Sequence, residues 1–322
     1  MSKRVLFIAH NSGDACGGYQ FGKRWFDNID HGASKYRWQY RRVSNLAEFD
    51  AAYQECAPDA VIFNFVPIAM GWVSQINHGV ENEYPVPRIV MEHNWSDSLL
   101  PQVLNGHYPT FTHLMYSDPT FTVDDPRIFN FSRPLPPRYL GPHLPLEEEI
   151  RIGTFGLCLP HKNFPLLVRE VDRQFDNATI YMHVTEPTFG PPQLDQIMAQ
   201  CHAEITHPGI KIHHTSDFCS DEEVVRRLAD NHINALLYRV PDHNSGLSSS
   251  TDFFVAAGRP MLFTDCAVFN HVREVSYQHP HDTFSDILDG YTTAEDTVRR
   301  WSSRQYRMIP EQAEAMMDAI LQ

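Results

Sequence analysis

The segment IRIGTFGLCLPHKNFPLLVREVDRQFDNATIYMHVT, residues 150–185, decides the fold class. It begins with the apolar run IRIGTF and ends with a second apolar run, ATIYMHV. Between the two runs lies a predicted helix from Asn163 to Phe175, with Pro165 in its first turn, where proline is favoured. Strand, helix and strand in this order predict a parallel βαβ unit.

The same alternation extends in both directions along the chain. The predicted strands before this unit are VLFIAH (Val5–His10), WQYRRV (Trp38–Val43), DAVIFNF, RIVMEH and THLMYS, and those after it are IKIHHT, INALLY and MLFTD. The proline-rich stretch from Arg133 to Glu149, with its acidic end, predicts a linker between the two series. The tail predicts two further helices, near Thr293–Arg304 and Pro310–Leu321.

The sequence therefore predicts an α/β fold with two Rossmann-like domains, residues 1–145 and residues 146–322. In sheets of this kind, ligands bind at the carboxyl ends of the strands. We therefore expect the functional site in a central cleft that the two domains face.

Charge and cysteine content narrow the class of protein. The chain has 322 residues and a formal net charge of −14, so a protein held on DNA mainly by charge is disfavoured. No apolar run reaches the roughly 18 residues of a membrane span, and the first one is too short for a signal peptide. The six cysteines are scattered without a CxxC pair. This spacing predicts neither a disulfide framework nor a zinc module, and it favours a reduced, cytoplasmic compartment.

A glycine-rich loop, HNSGDACGGYQFG at residues 10–22, follows the first predicted strand. Gly17 and Gly18 in this loop allow tight turns and a close approach of the backbone to a ligand. The loop lacks G-x-G-x-x-G, and the next strand ends in RRVSN without an acidic residue, so a dinucleotide-binding fingerprint is absent. Two interpretations remain: the loop faces a ligand, or it only connects the strand to the helix.

Lys162 and two serines are candidate anion ligands. Lys162 directly precedes a predicted helix, whose N-terminus disfavours a cation unless an anion shares the site. Ser248 and Ser249 precede another predicted helix, where backbone amides favour a phosphate. Ser249 and Asp252 also form the S-x-x-D pattern of a capping box, which explains both residues without a ligand. These two candidate anion sites lie on successive strand–helix pairs of one domain. This arrangement favours a diphosphate over a single phosphate.

Two residues of the first domain are candidates for a general base. His93, in VMEHNWSD, lies at the carboxyl end of a predicted strand, and histidine has a suitable pKa near neutral pH. Asp14, in the glycine-rich loop, is the alternative base. The chain has 18 histidines, so the position of one of them is a weak signal by itself.

Two stretches resemble the donor-binding region of GT-B nucleotide-sugar glycosyltransferases. They are GTFGLCLPHKNF, where that class keeps a basic residue for the donor diphosphate, and GLSSSTDFFVAAGRPMLFTDCAVFNHV. The second stretch is similar to a poorly characterised bacterial and phage group with a G-[IL]-S-S-x-x-D…R-P signature. The best-known retaining enzymes have two glutamates eight positions apart; here Asp242 lies near the first position and Asp252 lies one residue beyond the second.

The resemblance implies transfer of a sugar from a nucleotide diphosphate sugar, such as a UDP-sugar, to an acceptor hydroxyl. The sugar nucleotide would be a co-substrate, and the reaction would need no other cofactor and no metal. The second domain would bind the donor and the first domain the acceptor, a glycan or small molecule. The implied donor-binding residues are Thr154, Lys162, Asp242, Gly246, Ser248, Ser249 and Asp252.

Two alternatives remain open. A DNA glycosyltransferase acting on a hydroxymethylated base is supported by the basic cluster Lys35, Arg37, Arg41 and Arg42, which alternates with aromatic residues along one predicted strand. A half-buried strand with a solvated face explains the same pattern. The second alternative is a non-catalytic protein with two lobes that binds nucleotides or sugars, which the missing glutamates would allow.

Overall fold

The computed structural model describes residues 2–11, 17–76, 84–92, 111–118, 122–146, 149–187, 191–239 and 247–322. The chain divides into two compact units, the first formed by Met1–Pro134 with Gln305–Gln322 and the second by Leu135–Arg304. Each unit contains a six-stranded sheet in which the paired strands run parallel. In the described ranges, no helix is both long enough and apolar enough to cross a bilayer.

The first unit is a parallel sheet with the strand order β2-β1-β3-β4-β5-β6. Its elements are β1 (Arg4–His10), α1 (Gly17–Asp27), β2 (Arg37–Val43), α2 (Leu46–Cys56), β3 (Ala60–Asn64), a 3-10 turn (Gly71–Gln75), β4 (Arg88–Glu92), β5 (His113–Tyr116) and β6 (Ile128–Asn130). Successive residues of β1 face opposite sides of the sheet, as in any strand. Leu6 and Ile8 therefore join the core that contains Phe49 of α2, whereas Val5 and Phe7 join the core that contains residues of α1.

The second unit repeats this plan with the strand order β12-β11-β10-β7-β8-β9. Its strands are β7 (Ile150–Leu157), β8 (Ala178–Thr185), β9 (Ile210–Thr215), β10 (Ile233–Leu236), β11 (Met261–Thr264) and β12 (Tyr277–His279). Its helices are α3 (Phe164–Gln174), α4 (Leu194–Ala203), α5 (Asp221–Ala229), α6 (Ser250–Ala257) and α7 (Phe284–Asp289), followed by the long α8 (Tyr291–Ile320). Two 3-10 turns, Pro160–Lys162 and Ala267–Val275, complete the described elements of this unit.

Helix α8 differs from the two tail helices expected from the sequence, because it runs through Pro310 without a break. The residues around the proline, Ile309 and Ala313, are buried in the core of the first unit with Met317. This packing offsets the roughly 3 kcal/mol that a proline costs inside a helix. For the same reason Gln305–Gln322 groups with the first unit, although the sequence places the whole tail in the second domain.

The boundary between the units also lies earlier than residue 145, between Pro134 and Leu135. The proline-rich segment is held by the second unit rather than left as a free linker. The Tyr139 amide donates to the Ala256 carbonyl at 2.9 Å, and the Arg299 guanidinium donates to the Gly141 carbonyl at 2.8 Å. These hydrogen bonds are specific contacts that composition alone does not predict.

The predicted strands and the predicted helix Asn163–Phe175 match the observed elements to within a few residues. The short edge strands β6 and β12, with three residues each, are additional. Such short runs carry too little apolar periodicity to be recognised in a sequence.

Candidate functional site

Lys162 reaches the carboxyl edge of the second sheet through a short irregular connection. β7 ends at Leu157, the 3-10 turn Pro160–Lys162 follows, and Asn163 adopts a left-handed conformation with φ 50° before α3 begins. Asparagine tolerates this conformation better than most residues. The turn therefore places Lys162 beside the end of β7 and not inside α3.

The Lys162 ammonium contacts hydroxyl groups and an aromatic ring. It donates a hydrogen bond to the Tyr238 hydroxyl, lies 3.4 Å from the Ser250 Oγ, and lies 4.2 Å from the centre of the Tyr238 ring. Among the described residues, no carboxylate lies within ion-pair distance of this ammonium. Since its partners are neutral, its positive charge is available to an anion.

Two hydroxyl groups, those of Tyr238 and Ser250, contact the ammonium where β10 ends and α6 begins, and the Ser248 hydroxyl contacts Tyr238. The Tyr238 hydroxyl lies 3.3 Å from the Ser248 Oγ, and Ser250 is the first residue of α6. Tyr238, Ser248 and Ser250 are all buried. The cluster therefore combines one cation, three hydroxyl donors and a helix N-terminus, a set that suits a phosphate group.

Gly156 lies beside this cluster in an unusual backbone conformation. Its φ of 145° is one that side-chain-bearing residues rarely adopt. A Cβ at this position would lie 3.4 Å from the Ser250 Oγ and 3.6 Å from the Lys162 Nζ. These distances are ordinary van der Waals contacts, so the backbone conformation is what requires glycine here.

A second layer of hydrogen bonds holds the serine turn in place. The Thr251 hydroxyl donates to the Ser248 carbonyl and lies 2.7 Å from the Nε2 of His271. The Thr264 hydroxyl donates to the Tyr238 carbonyl at 3.1 Å. Because Thr251 and His271 are buried, these contacts fix the position of the Ser248 backbone relative to Lys162.

The capping box expected at Ser249 and Asp252 is wrong. Ser249 has helical backbone angles, φ −72° and ψ −16°, and makes no capping hydrogen bond with its side chain. An N-cap serine is normally extended, and this lets its hydroxyl reach the third residue of the helix. Ser249 is exposed, whereas Ser248 and Ser250 are buried beside Lys162.

The other donor-site candidates have different positions. Thr154 is buried on β7, two residues before Gly156. Asp252 is buried in the first turn of α6. Asp242 and Gly246 lie outside the described residues.

Of the candidates in the first unit, His93 and Asp14 also lie outside the described residues. Gly17 begins α1, and a Cβ there would meet no atom of the described residues within 4 Å. Gly18 is the second residue of the same helix.

The basic cluster lies on β2 and directly before it. Lys35 forms an ion pair with Asp318 at 2.6 Å, and Arg41 forms one with Glu55 at 2.8 Å. Arg37 is exposed, and the Arg42 guanidinium lies 4.7 Å from the Tyr19 ring centre. The aromatic residues between them pack against the core that contains α1.

Sequence reasoning missed Tyr238, Ser250 and Gly156 as parts of this cluster. Tyr238 is the last residue of the predicted strand INALLY, and Ser250 is the third serine of a run, so their positions carried a weak signal. Within the described ranges, no three His, Cys, Asp or Glu side chains are grouped closely enough to hold a metal ion.

No protein-family model matches the chain, and no curated protein matches it. Solved structures do match over nearly its whole length. Anabaena HepE in complex with UDP and glucose has a TM-score of 0.61 and 10% identity, covering 98% of this chain and 100% of its own. AviGT4, a glycosyltransferase involved in avilamycin A biosynthesis, has a TM-score of 0.57 and 13% identity over 99% of this chain and 98% of its own.

An alpha-glucosyltransferase in complex with UDP-glucose and DNA containing an abasic site has a TM-score of 0.53 and 11% identity, covering 99% of this chain and 96% of its own. Together with the two parallel sheets, these likenesses show that the chain has the GT-B fold. The fold expected from the sequence is therefore confirmed.

Proposed function

We propose that this chain is a glycosyltransferase that moves a sugar from a nucleotide diphosphate sugar to an acceptor hydroxyl. The second unit binds the donor and the first unit binds the acceptor. The observation that carries this proposal is the half-buried Lys162 ammonium, held by Tyr238 and Ser250 without a carboxylate partner among the described residues. The structural neighbours support it, since HepE and the alpha-glucosyltransferase were solved with UDP or UDP-glucose.

The chemistry follows from the charge that develops when the donor breaks. As the bond between the sugar C1 and the diphosphate oxygen breaks, the electron pair stays on the diphosphate, whose negative charge grows. In this proposal that charge is stabilised by Lys162, by the hydroxyls of Ser248 and Ser250 and by the N-terminus of α6. The positive potential of these groups stabilises the leaving diphosphate without a bound metal.

Donor binding is the first expected result. At 100 times its Kd, a ligand adds about 2.7 kcal/mol to the free energy of unfolding, so UDP or a UDP-sugar should raise the Tm by roughly 5 to 10 °C. Uridine, which lacks the diphosphate, should raise it far less because it offers nothing to Lys162. A thermal-shift series of nucleosides, nucleoside diphosphates and sugar nucleotides measures this directly.

Slow hydrolysis separates an enzyme from the alternative non-catalytic binding protein. With the right donor and no acceptor, an enzyme should release nucleoside diphosphate by transfer of the sugar to water. A stabilising sugar nucleotide that stays intact over many hours would favour the binding protein. If the Tm stays unchanged at millimolar concentrations of nucleoside diphosphates with every base, the donor site is refuted.

Duplex DNA is the second candidate acceptor, favoured by the neighbour solved with DNA and by exposed Arg37 on β2. Lys35 and Arg41 are already paired with carboxylates, which weakens this candidate. If DNA binds here, Arg37→Ala should flatten the log–log dependence of affinity on salt by about one unit. Filter binding with plain and hydroxymethylated duplexes measures this slope, and no binding at low salt would exclude DNA.

A further inference from the structure

A groove with a volume of about 520 Å³ lies on one face of the second sheet, along β8 and β9. Ile180 and Met182 of β8 face the core that contains α3 and α4. Successive side chains of a strand alternate between its faces, so Tyr181 and His183 face the opposite side, where α5 contacts the sheet. The volume falls within the range of roughly 300–1,000 Å³ that is typical of ligand pockets.

An exposed pair of aromatic rings forms the floor of this groove. Tyr181 of β8 lies opposite His213 of β9 in the strand register, and their ring centres are 5.2 Å apart at an angle of 15°. Tyr181 is 40% exposed, although both faces of a parallel sheet are usually covered by helices. The stack with His213 occupies one face of the tyrosine ring, and the exposed remainder can receive an apolar surface.

Polar side chains surround the exposed rings. The Thr215 hydroxyl oxygen lies 2.8 Å from the Nδ1 of His183 and accepts a hydrogen bond from Arg227 of α5 at 2.9 Å. Asp230 and Asn231, which directly follow α5, line the same groove. The groove therefore places hydrogen-bond donors and acceptors around an aromatic surface.

The charges along the groove balance. Arg151 and Arg227 line it together with Asp230. The Arg227 guanidinium also donates to the Glu223 carboxylate at 2.8 Å, which offsets its charge. A nucleic-acid strand requires an excess of basic side chains to neutralise its phosphates. The balance therefore favours an uncharged ligand.

We propose that this groove binds a neutral oligosaccharide. A sugar ring has an apolar face of C–H groups that fits the exposed Tyr181 ring. Its hydroxyl groups both donate and accept hydrogen bonds, which suits Arg227 and Asp230. The described residues that line the groove include none of the Lys162 cluster. Sugar binding here is therefore independent of the donor site and of the proposed glycosyl transfer.

Calorimetric titration of maltohexaose, cellohexaose and chitohexaose into the full-length protein tests this site. At least one of the three sugars should bind. Tyr181→Ala should weaken its binding by about five- to tenfold, whereas Tyr181→Phe keeps the ring and should bind as the wild type does. Phe218→Ala, which removes an exposed aromatic ring of the same unit outside the groove, is the matched control and should not change the Kd.

Protection of His213 gives a readout on the wild-type protein that does not depend on how a variant folds. His213 is exposed, so diethyl pyrocarbonate should modify its imidazole, and saturating hexasaccharide should slow this modification. His281, which is exposed in the same unit outside the groove, is the control and should react at the same rate with and without sugar. Peptide mass spectrometry measures both rates.

Three results would overturn the proposal. The first is that none of the three sugars binds at millimolar concentrations. The second is that a sugar binds but neither its affinity for Tyr181→Ala nor the modification of His213 changes, because the sugar then occupies another site, such as the acceptor site. The third is that hexathymidylate binds more tightly than the sugars and loses affinity in Tyr181→Ala, because the groove then prefers a nucleic-acid strand.

Discussion

Lys162→Ala should weaken the binding of nucleoside diphosphates by about 10- to 100-fold while the protein stays folded. A charge-assisted hydrogen bond contributes roughly 1.5–3 kcal/mol, which corresponds to this range of affinities. The side chain is only half-buried and has no ion-pair partner among the described residues, so its removal leaves no opposite charge buried. Calorimetric titration of UDP into wild type and mutant measures the change.

Ser249→Ala is the matched control, since this serine is exposed and makes no capping hydrogen bond. We expect it to change neither the affinity for UDP nor the melting temperature. Ser250→Ala, which removes a hydroxyl 3.4 Å from the ammonium, should weaken binding more than Ser249→Ala. Equal affinities for wild type and Lys162→Ala would remove Lys162 from the site.

Glu295→Ala should lower the free energy of unfolding of the second unit by about 3–5 kcal/mol, the usual cost of removing one partner from a buried ion pair. Glu295 and Arg259 are both almost fully buried and form an ion pair. Arg299 lies 2.8 Å from the same carboxylate. Without Glu295, the Arg259 guanidinium stays buried without a counter-charge. Urea unfolding followed by circular dichroism measures the loss.

Two further variants test the cause of this loss. Asp296→Ala removes the neighbouring, half-exposed carboxylate of α8, and an exposed ion pair contributes at most about 1 kcal/mol. Replacing both partners, Arg259→Met with Glu295→Leu, should recover much of the stability because neither charge then remains buried. A loss below about 1 kcal/mol for Glu295→Ala would mean that water reaches this network.

The alternation of apolar runs with helical segments predicted both sheets, because burial on two faces leaves a clear signature in the sequence. Helix α8 shows where local rules fail. Proline normally ends a helix, but the burial of Ile309 and Ala313 against the first sheet depends on contacts far away in the chain. The unit boundary before Leu135 has the same origin, since it depends on hydrogen bonds to Ala256 and Arg299.

The sequence predicted Lys162 and the serine run as parts of one candidate site, but it did not predict which serine and which tyrosine contact the lysine. Lys162 could be identified from the sequence because a lysine directly before a predicted helix is a local feature. The choice between Ser249 and Ser250 depends on the backbone angles of one turn, which a run of three serines does not reveal. Tyr238 lies 76 residues from Lys162, and only the pairing of β7 with β10 brings the two together.

The most direct test of the donor site is backbone hydrogen–deuterium exchange of the wild-type protein with and without saturating UDP. Binding at the Lys162 cluster should slow exchange in residues 156–166 and 247–257, which include the turn before α3 and the start of α6. Lys162→Ala at the same UDP concentration should show a smaller effect in both segments. Protection confined to other parts of the chain, or no protection at saturation, would contradict a donor site at the carboxyl edge of the second sheet.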